Sequence, residues 1–180
     1  TAQRMRAALV LRHLASNRRF SDSDEANDPQ MLDWLAQSLD LDPTDRDGEL
    51  RLLRGLRESG DLKQVRQRLD AARERFPGDS AVLIEAVHTA LASGAFKKAI
   101  GLAKQVLQVD PINPQVRSVI GQAHLSHARK QIESRNANGA RRELEEARHW
   151  LRSTTDLAIL SALRGLAAEV PAEGDALLRQ

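Results

Sequence analysis

His124 and His127 come closest to a chemical site in this sequence, because a spacing of three residues places both imidazoles on one face of a helix. Two imidazoles held in this way could bind a metal ion. A metal site needs further ligands nearby, and the sequence offers none, since it has no cysteine and no His-Glu-x-x-His motif. We therefore expect no metal site, and we expect His124 to be a partly buried structural residue.

Other titratable residues form no pattern that is typical of catalysis. His13, His88 and His149 are isolated in the sequence, and no Gly-rich phosphate loop or Gly-x-Ser-x-Gly motif is present. Three glutamates are expected to face solvent and to pair with neighbouring arginines on the same helix. They are Glu143, Glu145 and Glu146, with Arg141, Arg142 and Arg148. We expect no catalytic residues, no cofactor and no enzymatic activity.

Three arginines, Arg51, Arg54 and Arg57, lie on neighbouring turns of one predicted helix in the most basic region of the chain. They could dock an acidic peptide or a phosphate group, or they could form an ordinary solvated helix face. The chain has 27 basic and 25 acidic residues, and only 3% of its residues are aromatic. Nucleic-acid binding is disfavoured, because it calls for a larger basic excess and for aromatic side chains that stack on bases.

The elements that carry these residues follow a fixed period. Pro43, Pro77 and Pro111 are each separated by 34 residues, and Gly60 recurs as Gly94 after the same interval. Glycine suits the end of a helix because it accepts a positive φ, and proline suits a turn because it cannot continue a helix. The period therefore predicts repeated units of helix, glycine turn, helix and proline turn, which must stack to bury their apolar faces.

Apolar residues between each glycine and the next proline have the spacing i, i+4, i+7, which is one face of a helix. A second apolar face precedes each glycine, and no segment has the alternation of a strand. The first set comprises Val65, Leu69, Ala72, Ala99, Ala103 and Val106, and the second comprises Leu52, Leu53, Leu56, Leu83, Ala86, Val87 and Ala90. The fold class predicted is all-α.

These residues resemble the tetratricopeptide repeat (TPR) family, chiefly over residues 44–111, with Gly121 as a further family-like small residue. The resemblance implies a right-handed superhelix of antiparallel helix pairs, although other α-solenoids share many of these features. The tryptophan and tyrosine that the family usually has in its first helices are absent. Those positions hold Glu49 and Leu56 in one unit and Leu83 and Ala90 in the next.

The flanks are interpreted as degenerate units of one domain spanning residues 1–180. The predicted divisions are a degenerate repeat over 1–43, repeats over 44–77, 78–111 and 112–153, and C-terminal capping helices over 154–180. The unit over 112–153 exceeds the period by seven residues, because the trio Ala99, Ala103, Val106 returns 41 residues later as Ala140, Leu144, Ala147. We assign this excess to an extended first helix over 114–134, followed by a turn at 136–139.

The remaining boundaries follow from capping residues and apolar spacing. A first helix is expected over 2–19, with Met5, Ala8, Leu9, Leu11 and Leu14 on its core face. A solvated acidic loop is expected over 20–28, and Asp28 and Pro29 suit the N-cap and first position of a helix over 28–40. A further helix is expected over 155–169, and residues 171–180 could begin another helix or form a cap.

The resemblance implies that the first helix of each unit lines a concave groove, which we expect to be the binding surface. Its residues are partly apolar and partly basic, a mixture that suits an amphipathic or extended peptide with acidic residues; some of them could instead pack against the next helix. The groove candidates are Leu50, Arg54, Arg57, Ile84, His88, Leu91, Ser118, Gln122 and Leu125.

The function expected is that of a protein-interaction module or scaffold that captures a segment of a partner protein. The alternatives are a non-catalytic regulatory domain of a larger enzyme, and an anion- or nucleic-acid-binding solenoid that uses the arginines between Arg51 and Arg57. No apolar run is long enough to cross a membrane. The chain starts at Thr1, which suggests a truncated N-terminus, and the abundance of arginine is typical of GC-rich bacterial genomes. The compartment is left open with a preference for the cytoplasm, and the oligomeric state is left open.

Overall fold

Helices joined by short turns make up nearly all of a computed structural model of the chain, which describes residues 2–17, 28–152 and 154–169. No strand occurs in these ranges, so the all-α prediction is confirmed. The helices are α1 (Ala2–Asn17), α2 (Pro29–Leu41), α3 (Arg46–Glu58), α4 (Leu62–Arg75), α5 (Ser80–Ala92), α6 (Phe96–Val109), α7 (Pro114–Glu133), α8 (Ala137–Trp150) and α9 (Thr154–Glu169).

Side chains that cap helix N-termini recur with the predicted period. Asp45, Asp79 and Asn113 are spaced by 34 residues, and each accepts a hydrogen bond from a backbone N–H in the first turn of α3, α5 or α7. Such a bond satisfies an N–H that has no partner within its own helix. Asp28 likewise accepts a hydrogen bond from the backbone of Gln30, which confirms its predicted role as the N-cap of α2.

The turns predicted from proline and glycine are also confirmed. Pro43, Pro77 and Pro111 lie in the turns after α2, α4 and α6. Gly60 and Gly94 follow α3 and α5 with φ angles of +84° and +69°, a backbone region that disfavours side chains with a Cβ atom. The glycine interval therefore marks the positions where one helix of a pair ends and the chain reverses.

The seven-residue excess lies in α7, as predicted, because α7 has 20 residues whereas α5 has 13. The predicted turn over 136–139 is wrong, since α8 begins at Ala137 and Asn136 caps it by accepting a hydrogen bond from Gly139. The turn after α7 instead places Arg135 at a φ of +59°. Arg135 is 41 residues after Gly94, so it occupies the glycine position of the repeat without being glycine.

The chain divides into two compact units, Thr1–Ala92 and Ser93–Gln180. In the first unit each helix from α1 to α5 contacts the next one in the sequence, and α3 also contacts α5. The trio Val65, Leu69, Ala72 of α4 is buried, as predicted. The core also includes leucines of α2 and α3 and small apolar residues of α5, namely Leu32, Leu35, Leu39, Leu52, Leu53, Leu56, Val82, Ala86, Val87 and Ala90.

An arginine–aspartate ion pair occurs twice in the first unit at equivalent positions. The Nε atom of Arg12 lies 2.7 Å from Oδ2 of Asp45, and the Nε atom of Arg46 donates to Oδ2 of Asp79 at 2.6 Å. Both arginines and both aspartates are separated by 34 residues. The ion pair thus joins α1 to the start of α3, and α3 to the start of α5, in the same way.

A fully buried carboxylate lies between α3 and α4. Glu49 has 0% exposure, and its Oε2 atom lies 3.3 Å from an Arg75 guanidinium nitrogen, while its Oε1 atom lies 3.7 Å from Arg68. Arg75 also donates to the carbonyl of Pro43. Two arginines of α4 therefore compensate the buried charge of Glu49.

The predicted core face of α1 is only partly correct. Ala8 is buried, but Met5, Leu9 and Leu14 are 50%, 61% and 42% exposed. The helix buries Ala8 and Ala15 against the rest of the unit instead, because small residues allow a close approach between helices. Large apolar side chains on both sides of this narrow contact remain in solvent.

The second unit is built on contacts of α7 with α6, α8 and α9, and of α8 with α9. Gly121 of α7 allows a close approach, since a Cβ atom there would lie 2.5 Å from the side chain of Leu151. The trios of α6 and α8 are buried, as predicted. Leu160 and Leu163 of α9 join the same core, whereas Ile159 and Leu166 are exposed.

Several predictions are not decided by these observations. The loop over 20–27 and the cap over 171–180 lie outside the described residues. The division into repeats remains a prediction, and the boundary between the two compact units falls inside the predicted repeat 78–111, between α5 and α6. None of the helices in the described ranges is long and apolar enough to cross a membrane.

Candidate functional site

The groove candidates of the first unit lie on α3 and α5, two helices that contact each other. Arg54 is exposed, and the other five are partly exposed, so all six side chains reach the surface. The partly exposed ones are Leu50, Arg57, Ile84, His88 and Leu91. We refer to these six residues as the α3/α5 surface.

Arg57 is neutralised within the protein. Its Nε atom donates to Oε1 of Glu85 at 2.6 Å, and the Glu85 side chain is only 5% exposed. Arg51, the first residue of the arginine strip, donates to the hydroxyl of Ser16 at 3.2 Å. Of the three arginines, Arg54 is therefore the exposed one that could meet an anionic ligand. Sequence reasoning missed the role of Glu85 as the partner of Arg57. Nothing in the sequence around Glu85 indicates a partner 28 residues away.

His88 lies in the same group of charged residues. Burial lowers the pKa of His88 below its ordinary value, and the cations of Arg57 and Arg54 lower it further against the opposing effect of Glu85. At neutral pH this imidazole is therefore uncharged. The α3/α5 surface presents one exposed guanidinium beside a neutral, half-buried imidazole and an internally compensated ion pair.

The groove candidates of the second unit lie on α7. Ser118 is partly exposed, Gln122 is exposed, and Leu125 is 6% exposed. Two of them line a cleft of about 280 Å³ between α7 and α9, which we call the α7/α9 cleft. Its lining residues are Gln122, Leu125, Ser126, Arg129, Asp156, Ile159 and Leu163.

The α7/α9 cleft has an apolar floor and a polar rim. Leu125 and Leu163 are each 6% exposed and form part of the core beneath it, whereas Ile159 is 41% exposed at its edge. The lining residues of α7 from Gln122 to Arg129 follow helical spacing over about two turns, or about 10 Å. The volume lies below the range of about 300–1,000 Å³ that is usual for small-molecule sites. The cleft is therefore suited to a single side chain or a short peptide segment.

A buried polar cluster joins α7 to α8 in the second unit. Oε2 of Glu143 lies 2.7 Å from Nδ1 of His124, and Oε1 of Glu143 lies 2.9 Å from Nδ1 of His127. Nδ1 of His127 and this oxygen do not meet hydrogen-bond geometry, so the second contact is a close approach and not a hydrogen bond. Gln131 faces Nε2 of His127 at 3.0 Å, and the Phe96 ring lies 5.7 Å from the His127 ring.

This cluster corrects one prediction and agrees with another. Glu143 does not face solvent beside arginines; its carboxylate is partly buried and lies next to the Nδ1 atoms of His124 and His127. His124 is buried, as expected of a structural residue. Nδ1 of each imidazole lies next to the Glu143 carboxylate. The described part of the chain contains no group of three or more potential ligands that could hold a metal ion.

No protein-family model matches the chain, and no curated protein sequence matches it.

Proposed function

We propose that this chain is a TPR-like helical repeat scaffold that binds a short segment of a partner protein on its first helices. In this proposal the antiparallel helix pairs stack into a right-handed superhelix. The observation that carries it is that first helices contact first helices, α3 with α5 in one unit and α7 with α9 in the other. Such contacts between alternate helices of the sequence are expected when helix pairs stack side by side.

The repeated ion pair supports stacking in the first unit. Arg46 pairs with Asp79 as Arg12 pairs with Asp45, so two successive helix pairs are joined by the same interaction. The N-cap residues keep the same interval into α7. These features support a repeated arrangement of helix pairs, which is the premise of a solenoid.

Each unit offers a surface suited to a peptide and not to a large flat interface. The α3/α5 surface combines Arg54 with the apolar residues Leu50, Ile84 and Leu91. The α7/α9 cleft combines an apolar floor with Arg129, which has neither an ion pair nor a hydrogen bond within the described residues. Apolar contact areas with exposed cations beside them favour a segment that carries bulky apolar and acidic side chains.

A peptide-selection experiment tests this function. Random peptides displayed on phage would be selected against the full chain, and the most enriched peptide would be synthesised for titration. We expect it to contain apolar and acidic residues. If the selected peptide binds the α3/α5 surface, Arg54→Glu combined with His88→Glu should weaken its binding by at least about tenfold. If the peptide binds the α7/α9 cleft, Arg129→Glu should weaken its binding to the same extent.

Matched control variants keep this test specific. Arg66→Glu combined with Arg73→Glu makes the same kind of charge change on exposed positions of α4, which is a second helix, and should leave binding within about twofold. Failure to enrich any peptide would contradict the proposal. Binding that is lost steeply with added salt and needs no apolar residue would instead support the anion-binding alternative.

A further inference from the structure

The two most exposed large apolar side chains of the described residues lie at the turn between α6 and α7. Ile112 is 84% exposed and Val109 is 65% exposed. Asn113 holds this turn by donating from its Nδ2 atom to Oδ2 of Asp110 at 2.9 Å, and Pro111 restricts the backbone between them. Two apolar side chains are thus presented to solvent, where any contact that removes them from water is favourable.

Helix α6, which leads into this turn, has charge of one sign only. It contains Lys97, Lys98 and Lys104 and no acidic residue. All three lysines are exposed, and none of them has an ion pair or a hydrogen bond within the described residues. Over residues 96–132 the sequence has six lysines or arginines and one acidic residue, Asp110. The positive charge of α6 is therefore not compensated by its neighbours in the sequence.

The lysines and the apolar side chains share the solvent-facing side of α6. Lys97 and Lys104 are seven residues apart and so lie on one line along the helix, and Lys98 and Gln105 form a second line beside it. Val109 continues the second line four residues after Gln105. The opposite side of α6 is the buried one. The exposed side therefore presents cations along a length of about 20 Å and apolar side chains at its C-terminal end.

We propose that this side of α6 and the turn that follows it bind the surface of a membrane that contains anionic lipids. We refer to Lys97, Lys98, Lys104, Val109 and Ile112 as the α6 face. The lysines contact the anionic headgroups, and each cation near such a surface raises the affinity by about fivefold. Val109 and Ile112 enter the boundary between headgroups and acyl chains. The binding is peripheral and reversible, because it depends on a few cations and two side chains.

A lipid surface fits the α6 face better than an acidic protein segment does, because the apolar side chains protrude. At 84% exposure, Ile112 has few neighbours from its own chain that could form the wall of a pocket. Protein partners are usually anchored by side chains that fill well-packed pockets. A layer of headgroups and acyl chains, by contrast, accepts a protruding side chain without a pre-formed cavity.

This inference goes beyond the proposed function and does not depend on it. The α6 face shares no residue with the α3/α5 surface or with the α7/α9 cleft. Substitutions on the α6 face should therefore leave the binding of a selected peptide unchanged, and either proposal can fail while the other holds.

Cosedimentation of the full chain with lipid vesicles tests the proposal. Vesicles of phosphatidylcholine with about 30% phosphatidylserine supply the anionic surface, and vesicles of phosphatidylcholine alone supply a neutral one. We expect the chain to bind the anionic vesicles at least about tenfold more tightly than the neutral ones. Binding should weaken as salt is added, because salt screens exposed charges.

Removing the three cations separates the α6 face from a general effect of positive charge. Lys97→Gln, Lys98→Gln and Lys104→Gln together should weaken binding to the anionic vesicles by at least about tenfold. The matched control removes three charges from exposed positions of α4 and should stay within about twofold of the original chain. It combines Lys63→Gln, Arg66→Gln and Arg73→Gln.

Removing the apolar side chains tests the second part of the contact. Val109→Ser combined with Ile112→Ser should weaken binding by at least about fivefold, because less apolar surface leaves water. Leu9→Ser combined with Val10→Ser changes two exposed apolar residues of α1 and should have little effect. All of these sites are exposed, so circular dichroism should show unchanged helix content in every variant.

A fluorescent label reports directly on whether Ile112 reaches the lipid. The chain has no cysteine, so Ile112→Cys provides a single site for an environment-sensitive fluorophore. We expect its emission to shift to shorter wavelength when anionic vesicles are added, because the label enters an apolar layer. The same label at Gln67→Cys, an exposed position of α4, should show no shift.

Three results would overturn the proposal. The first is an absence of binding to anionic vesicles at low salt. The second is an equal loss of binding in the α4 control and in the variant that lacks the α6 lysines, which would mean that only net charge matters. The third is binding of a polyglutamate peptide that depends on the same lysines while vesicles are not bound, which would indicate an acidic protein partner.

Discussion

The side chain of Arg46 at the start of α3 donates at 2.6 Å to Asp79, the N-cap residue of α5, which lies 33 residues later in the sequence. Asp79 in turn accepts hydrogen bonds from the backbone of Ala81 and Val82. One carboxylate therefore caps α5 and ties it to α3. The pair Arg12–Asp45 does the same for α3 and α1.

Asp79→Asn isolates the ion pair, because asparagine caps a helix as well as aspartate does but cannot pair with Arg46. Since the Arg46 guanidinium is partly exposed, we expect a loss of only about 0.5–1 kcal/mol in the free energy of unfolding at pH 7, measured by urea denaturation. Asp61→Asn at the N-cap of α4, where no arginine contacts the carboxylate, is the matched control and should leave stability nearly unchanged.

The pH dependence of the same variant has a definite sign. The hydrogen bond from Arg46 lowers the pKa of Asp79, so the unfolded chain binds its proton more tightly than the folded chain does. The stabilisation is therefore present above the ordinary aspartate pKa of about 3.9 and is lost as pH falls through the lowered value. Unfolding curves of the original chain and Asp79→Asn should converge once the pH lies below the lowered pKa; a difference that persists there would contradict an ionic origin.

Arg135→Gly should stabilise the protein. Arg135 has a φ of +59°, and a residue other than glycine in that region is strained by its Cβ atom. Removing the strain should raise the free energy of unfolding by about 0.5–1 kcal/mol, and the urea midpoint should rise accordingly. Gly94→Ala, at the equivalent turn after α5, should have the opposite effect of about 1 kcal/mol. A destabilised Arg135→Gly variant would mean that the arginine side chain itself holds the turn.

Removing both arginine partners of Glu49 should be costly. Arg68→Ala combined with Arg75→Ala leaves a fully buried carboxylate without a cation, and we expect a loss of about 3–5 kcal/mol in unfolding free energy. Adding Glu49→Leu to this variant should recover much of the loss, because an apolar side chain needs no partner there. Thermal unfolding followed by circular dichroism measures both steps. An absence of recovery would show that the arginines contribute through packing and not through charge.

His88→Gln should make the free energy of unfolding depend less on pH in mild acid. Burial lowers the pKa of His88 in the folded chain, so between that value and the ordinary value of about 6.5 the unfolded chain binds more protons. Stability is then fully present above pH 6.5 and declines as pH falls below it. The decline between pH 7 and pH 5 should be smaller in His88→Gln than in the original chain.

The repeat interval predicted the turns at Gly60 and Gly94, the buried trios and the length of α7, because these depend on helix period and local backbone preference. It could also have located the ion pairs, since Arg12, Arg46, Asp45 and Asp79 obey the same interval. The turn after α7 was misplaced because the prediction placed it at Gly139. In the structure Asn136 is the N-cap of α8, and Arg135 takes the positive φ of the turn although it is not glycine.

The surroundings of Glu143 and Arg57 could not be predicted in the same way. Glu143 meets His124 across 19 residues, and Arg57 meets Glu85 across 28, so neither contact follows the repeat interval. Each depends on how two particular helices are rotated against each other. The exposure of Leu9 and Leu14 has a similar origin, because α1 packs through Ala8 and Ala15 and not through its larger residues.

The added length of α7 has a consequence for how such a chain can change in evolution. Seven residues are almost two complete turns, so inserting them rotates the following side chains by only about 20°, whereas inserting five would rotate them by about 140°. Ala128 and Leu125 thus still face the core although α7 is about 10 Å longer than α5. Insertions and deletions within these helices should accordingly be tolerated in steps of seven residues. Such a step changes the length of the helix by two turns and keeps the same side chains facing the neighbouring helices.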